Sequence, residues 1–507
     1  MPFVNRLLIK KTMGQQNNHI IEKVFLEVNT RSKELAYNIK DNSRTFLENT
    51  VFPVIESVLE KYSSSGSVIR IDKLNLDISV DGEQLENDKG VLRLLLKDQL
   101  DDAINRGLDR AKSKKTDGNE NELMKGSSGV EILSALNDVE SAFLFFLENG
   151  HLPWYGQKKS LFAFVTSGDW GKSVENDEFV MRLSSLVNKD AKIRSRFLGL
   201  LPAGAVVSFL IREERKLKGY EDVLFSFFEE TDMTFKTALF EVLTLKTGKQ
   251  VLTALKTVAD TLRSGSGKID EVQVRGFVEM LRSVLQDEFK EEKTDEAGLI
   301  ENILSKDTQA DHPIRKEEKS TPKKLSEERA EIPERFFSQS DVGEVFVVNA
   351  GLILLHPFFS QLFGTLGYLD DMKMILKSKT DIAVQILHYI ATGSEEFFEG
   401  DLLLEKFICN VPLKWPVNTE SHLTKKIKDE VEVMMQEAVR HWPALKNTSP
   451  GGLRQMFISR DGKLIKHPKG YKLIVERKAQ DVLLEKLNWN ISLVKFPWRK
   501  NLLFVDW

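Results

Sequence analysis

MFISRDGKLIKHPKGYKLIVERK, residues Met456 to Lys478, is the stretch on which the fold class turns. Tyr471, Leu473 and Val475 recur at period two, the spacing that puts side chains on one face of a strand. Asp461-Gly462 supplies residue types that tolerate the positive φ of a tight two-residue turn, so the run predicts a hairpin in which MFISR leads in and YKLIVERK returns. Two further apolar runs, Ile491 to Phe496 and Leu502 to Trp507, predict two more strands. The chain is therefore expected to end inside a small sheet and not in a loose tail.

Immediately upstream the spacing changes from two to that of a helix. VFVVNAGLILLHPFFSQLFGTLGYLD, DIAVQILHYIATG, DLLLEKFICNVPLKWPV and the run from Val431 through HWPALKNTSPGG are dense in apolar and aromatic side chains at helical intervals. In the last of these, Trp442, Pro443 and Leu445 are expected to pack a helix end against the turn at Gly451 and Gly452. Between Ser305 and Arg335 about half of the residues are charged, with both signs mixed and prolines at Pro313, Pro322 and Pro333, which predicts an extended tether. From Val130 to about Phe289 the periodicity is again mostly helical, and SALNDVESAFLFFLENGHLPWYG predicts a helix that stops at Asn149 and Gly150 before a Pro-Trp turn. No fixed-period repeat is evident in this middle region.

At the other end, HIIEKVFLEV places Ile20, Val24, Leu26 and Val28 on one face, with Glu22 the exception, and Lys23 and Glu27 on the other. A half-buried strand follows from that pattern. Asn29 or Thr30 can cap a helix carrying Leu35, Ile39, Phe46 and Leu47, and Pro53 suits the first turn of its continuation. SVIRIDKLNLDISVDG alternates twice, through Ile69 and Ile71 and then Leu74, Leu76, Ile78 and Val80, with a change of phase that predicts a bulge. A helix near Val91 to Leu108 closes the unit. The expected organisation is an α+β unit over 1–110, a linker over 111–129, a helical region over 130–290, a charged tether over 291–342 and a helical unit with closing strands over 343–507. The fold class is α+β, mostly helical, with an N-terminal strand-helix-strand unit and a small C-terminal sheet.

Composition limits what such a chain can do. Its 507 residues exceed one hydrophobic core, and a formal net charge of −4 gives no general attraction to nucleic acid or to an anionic membrane. Cys409 is the only cysteine, so neither an internal disulfide nor a cysteine-rich zinc site is possible. The opening MPFVNRLLIKKTMGQQNN lacks a long apolar region and a cleavage site, which predicts cytoplasmic synthesis. The apolar runs near Gly199 to Ile211 and Val345 to Phe359 fall short of the ~20 residues that span a bilayer.

The motifs of catalysis are missing from the sequence. The eight histidines form no metal-ligand pattern, and there is no nucleophile elbow, phosphate loop or dinucleotide fingerprint. His151, beside Trp154 and Tyr155, can be read as a general base or as part of an aromatic-packed turn. His356 and His388 lie on apolar helical stretches and are read as core histidines. Glu405, Glu476 and Asp481 would have to meet in space to act as an acid pair. Lys463 and Lys466 are read as an anion patch or, more simply, as solvated strand ends. No cofactor or metal is expected.

A resemblance adds to these readings. NAGLILLHPFFSQLFGTLGYLD, AVQILHYIATG, LLLEKFICNVPL, HWPALKNTSPGGLRQMFISRDGKL and ISLVKFPWRKNLLFVDW, in that order, resemble the contractile injection system tape measure family. HIIEKVFLEV, GSVIRIDKLNLDIS and GHLPWYG are similar to family blocks as well, and the likeness is thinnest from Leu161 to Asp341. It implies a non-catalytic role in setting inner-tube length in a phage-tail-like particle, with the tube protein, the baseplate or spike hub and a tube terminator or cap as partners. It also implies assembly from several copies, in the cytoplasm and then inside the particle, without nucleic acid and without stable membrane insertion. The candidate structural or interface residues are Pro153, Trp154, His356, Pro357, Trp442, Pro443, Trp498 and Trp507. The rival expectations are an assembly scaffold or chaperone that does not set length and, more remotely, an enzyme using His151. A ruler made of one helix would reach roughly 760 Å at ~1.5 Å per residue, which fits poorly with strands at both ends.

Overall fold

The computed structural model describes residues 2–7, 11–13, 19–22, 24–30, 32–62, 67–80, 89–116, 130–218, 221–244, 336–337, 343–418, 422–445 and 448–507. The charged tether expected between Ser305 and Arg335, the helical spacing from 245 to Phe289 and most of the 111–129 linker lie outside the described residues. The chain divides into two compact units, Met1–Ala142 with Trp154–Leu161, and Phe143–Pro153 with Phe162–Trp507.

In the first unit, strand β1 (Pro2–Leu7) is followed by β2 (Lys11–Met13), β3 (His19–Ile21) and β4 (Val24–Asn29). β4 pairs antiparallel with β1 and β3 with β2, so Glu22, the exception in the alternation, falls at the break between two strands. Thr30 accepts a hydrogen bond from the Ser32 amide at 3.1 Å, just ahead of the helix Lys33–Asp41. A π-helical turn, Leu47–Val51, then leads into the helix Phe52–Tyr62. Its Val58 packs with Leu100, Ile104 and Leu108 of the helix Lys89–Thr116 to form the core of the unit.

Two expectations are corrected here. Strand β5 (Ser67–Ile71) pairs antiparallel with β6 (Val130–Ser134), a stretch expected to be helical. The second alternation, from Leu74 to Val80, forms no ladder; Leu74 and Leu76 still pack on the core, and the Asp77 backbone bonds the Gln99 side chain at 3.1 and 2.5 Å. Gln99 satisfies both main-chain groups as a neighbouring strand would, so the segment lies extended along the helix without a strand partner. The helix itself runs to Thr116, into the stretch expected as linker.

The second unit begins with a succession of short helices: Gly168–Glu175, Asp177–Lys189, Ala191–Leu200, Ala203–Glu213, Glu221–Glu230 and Met233–Thr244. Ser167 opens the first of these, and Asn176 and Asp190 explain the breaks that separate the first three. Each adopts an extended backbone and accepts, through its side-chain oxygen, an amide of the following helix. Phe143 of the helix Ala135–Asn149 and Phe164 of the helix Lys158–Thr166 meet Trp170 and Phe179 of this array edge-on or tilted, with centroids 5.6 to 6.3 Å apart.

The C-terminal sheet holds β7 (Glu344–Val347), β8 (Gly462–His467), β9 (Gly470–Val475), β10 (Leu493–Val494) and β11 (Leu502–Asp506) in the order β10-β11-β9-β8-β7. β11 runs parallel to β9, and the other pairs are antiparallel. The hairpin exists, but its turn is not at Asp461-Gly462. β8 and β9 join between His467 and Gly470, and the run expected as the first strand is a π-helical turn, Arg454–Ile458. Gly462 is a glycine for another reason: a Cβ there would lie 2.7 Å from the Ile474 carbonyl oxygen and 2.5 Å from the Ala350 methyl. Phe336 and Phe337, inside the stretch expected as tether, are buried against Phe407 and Tyr471.

The helices His356–Thr365, Thr380–Thr392, Leu403–Ile408 and Lys425–His441 enclose this block's apolar core. Beneath them the 3₁₀ turn Ala350–Leu355 rests on the backbone of the π-helical turn, so closely that a Cβ on Gly351 would sit 1.7 Å from the Phe457 carbonyl oxygen. Two chemically identical changes should therefore differ sharply. Gly351→Ala meets rigid backbone and should cost about 3 kcal/mol or more. Gly364→Ala, in a helix with nothing within 4 Å, should be neutral or gain up to about 1 kcal/mol. Denaturant titration of both variants reads the difference, and similar midpoints would contradict the packing described.

Candidate functional site

The polar groups of the second unit that are shut away from water define its chemistry, because an ionised side chain is stable there only when paired. The largest group centres on Arg196 of the helix Ala191–Leu200. Its Nε lies 3.1 Å from both carboxylate oxygens of Glu399, its Nη1 donates to the Leu147 carbonyl at 2.8 Å, and its Nη2 donates to the Lys414 carbonyl. Lys406 donates to the same Glu399 at 2.6 Å. Gly150, at φ 74°, has no Cβ to obstruct the guanidinium, which comes within 2.7 Å of where that atom would be. The helix terminus in GHLPWYG is thus shaped to seat an arginine, whose charge meets the carbonyl end of the helix Ala135–Asn149.

Glu405, the neighbour of Lys406, is fully buried and bonded only weakly, accepting from Asn349 Nδ2 at 3.4 Å. Burial pushes its carboxyl up to about 8. Asn349 itself sits in the left-handed region at φ 57°. Cys409 is buried one turn on, and its thiol is raised well above the ordinary value by the same desolvation. Near the chain's last strand, Arg460 pairs with Asp481 at 2.9 Å, and Asp481 accepts the indole N–H of Trp507 at 3.0 Å.

The candidate residues fall into place among these bonds. Trp442 is buried, donates to the Leu483 carbonyl at 3.1 Å and lies 4.7 Å from the Phe457 ring. Pro443 is exposed and opens the 3₁₀ turn that buries Leu445. Trp498 is buried and donates to the Ile408 carbonyl at 2.6 Å. His356 donates from Nδ1 to the Ile353 carbonyl at 3.0 Å, burial holds its pKa below the usual histidine value, and Pro357 lies in the first helical turn after it. Pro153 is buried, whereas Trp154 is half-buried with its ring perpendicular to that of Tyr155. Trp442 and Trp498 therefore brace the interior and are not surface contacts.

The chemical alternatives dissolve into separate roles. His151 has Nδ1 3.0 Å from the Leu152 carbonyl and its ring edge against Phe145. His388 has Nε2 3.1 Å from the Glu396 carbonyl. Glu405, Glu476 and Asp481 enter different contacts, with Asn349, Lys478 and Arg460 respectively. Lys463 and Lys466 form no patch, since an odd spacing sends them to opposite faces of β8. Lys463 is buried 3.0 Å from Glu344, which corrects its reading as a solvated strand end, while Lys466 is exposed. Among the described residues no group of three histidines, cysteines or acids could hold a metal ion, and no helix is long and apolar enough to cross a membrane.

Sequence reasoning passed over Arg196, Glu399, Lys406 and Arg460. The signal was present for two of them: Arg196 follows Ile193 by three residues on the buried face of its helix, and Lys406 interrupts the apolar run from Leu402 to Ile408.

The fold is thus mostly helical α+β, with buried charges bracing one element against another. The chain belongs to the family of contractile injection system tape measure proteins, which it matches over residues 18–507. Its role is the determination of tube length in such a system, and that role ties it to tube and baseplate components. No curated protein and no solved structure matches it significantly.

Two outcomes test the interior. Trp442→Ala should destabilise the protein by about 3 to 5 kcal/mol, the cost of emptying a buried indole site, and an unchanged melting midpoint would mean that the ring is not packed as described. Glu405 supplies a pH signature. Its folded value of about 8 lies above the 4.5 of an ordinary glutamate, so between these the folded chain holds a proton that the unfolded chain releases. Stability contributed by this group is complete below about pH 4.5 and is lost as pH rises toward about 8, on the order of 1 kcal/mol per unit. Glu405→Gln keeps an acceptor for Asn349 and removes the ionisation, so its advantage over the parent should widen with pH across that window. Parallel stability curves would rule this out.

Proposed function

We propose that the protein works without catalysis, as a multi-copy structural component contacting the tube protein, the baseplate or spike hub and the tube terminator or cap. It is made and assembled in the cytoplasm and then held inside the particle. The C-terminal block serves as the anchor or terminator contact, and the chain upstream of it carries the length. The observation that supports this division is the block's own apolar core, assembled from residues Phe336 to Leu503 together with its closing strands. The non-catalytic reading is supported by the family, whose members are structural tape measure proteins.

The decisive experiment inserts and removes helical segments between Leu161 and Phe289, checks that each variant folds, and sizes particles by electron microscopy. Mean tube length should change in the same direction as chain length, by up to ~1.5 Å per residue if the segment is helical when extended. Changes in the C-terminal block should instead abolish assembly or leave lengths uncontrolled. Constant lengths across a folded insertion series would place the measuring element outside this region and favour a scaffold role for it.

A further inference from the structure

The apolar core of the C-terminal block takes all of its members, buried and half-buried, from Phe336 to Trp507. None comes from the helices between Phe143 and Thr244, although the two groups of residues are in contact. What joins them is a seam of different chemistry. Arg196, its side chain 1% exposed, and Lys406, 0% exposed, both bond Glu399. Phe398 stacks on Phe146 at 4.7 Å and meets Phe162 at 5.6 Å, and Lys192 lies over the Trp415 ring at 4.4 Å.

We infer that the second unit opens at this seam, with the Arg196–Glu399–Lys406 cluster as the latch that holds it shut. Because the core from Phe336 to Trp507 draws no member from the helices, parting the seam uncovers Phe398, Phe146 and Phe162 but leaves that core intact. Buried ions lose hydration when the seam closes and recover it when the seam opens, so an ionic joint is geometrically selective but reversible, whereas an apolar joint of equal area would resist water. Polar contacts of this kind are typical of interfaces between bodies that move. Gly150, in the motif GHLPWYG, belongs to the latch because any larger residue would push the guanidinium from its seat. Opening would give the chain one joint at which to lengthen while the C-terminal block stays folded.

Thiol labelling of the full chain tests this without reference to particles, and so independently of the length-setting role. Phe398→Cys and, in a second chain, Phe146→Cys place a thiol on each wall of the seam, while Cys409, buried in the C-terminal core, reports unfolding of the block. Both wall thiols should react faster than Cys409. Adding Arg196→Met should raise both wall rates at least about tenfold and leave Cys409 slow. If Arg196→Met does not fold, Glu399→Gln in the same backgrounds gives the same reading. The inference is overturned if wall and core thiols react at one common rate, if the latch variants leave the wall rates unchanged, or if only the thiol at 398 responds, which would be motion of its loop.

Discussion

The parallel ladder between Gly470–Val475 and Leu502–Asp506 is the contact on which the C-terminal block depends. It inserts β11 between β9 and β10, so β10 joins the sheet only through Leu502–Asp506. Gly470 makes the ladder possible. Its φ is 139°, and any Cβ there would lie 2.3 Å from the Leu502 carbonyl oxygen. Once the strand is seated, Trp498 reaches the Ile408 carbonyl and Trp507 reaches Asp481, so the terminal segment ties the sheet to the helix Leu403–Ile408 and to Arg460. Parallel pairing across this connection is a non-local contact, whose loop entropy must be met before its packing contributes.

The same block shows what a single sequence reveals. Helices with an apolar face, and strands alternating as Tyr471, Leu473 and Val475 do, were legible because periodicity is a local property. The turn of the hairpin was not. Asp461-Gly462 carries the chemistry of a tight turn, yet Gly462 is a glycine because Ala350 and Ile474 approach it from elsewhere in the chain. Likewise Leu74 to Val80 alternates as a strand should, but the available ladder partner of Ser67–Ile71 is Val130–Ser134, and pairing is decided between segments. Phe336 and Phe337 were absorbed into a charged neighbourhood whose composition said nothing about the Phe407 and Tyr471 rings they cover. Of the candidate residues, the aromatic ones were recognisable as important but not as interior or surface. The charged residues of the interior were scarcely recognisable at all, since their partners lie up to 218 residues away.

Those charges are costly to bury, and their arrangement shows what is gained. Arg196 satisfies donors on four acceptor oxygens drawn from three separate segments, a fork geometry that lysine could not reproduce. Such a group fixes how segments meet more than it adds to stability, because an apolar replacement of similar volume is often neutral or better. Glu405, on the helix that carries Lys406, is the counterexample. With one long hydrogen bond and no partner among the described residues for Oε2, it relieves its burial by retaining a proton.

A length-determining role sits uneasily with this architecture only if the folded dimensions are taken as the ruler. The helices from Gly168 to Glu213 are short and follow one another through Asn176, Asp190 and the Leu201-Pro202 turn, so the folded array packs its chain back on itself. Each side-chain cap is worth only about 1 kcal/mol. The larger resistance to straightening comes from buried faces such as that shared by Phe197, Phe209 and Phe240, and these must remain covered by something when the array unpacks. Under the proposed division, length is held as the number of residues upstream of the C-terminal block and not as the span of the folded unit. On that view the folded array is the compact form of the measure, and any extended form requires a surface, from tube or from another copy, that takes over the apolar contacts the array now satisfies internally.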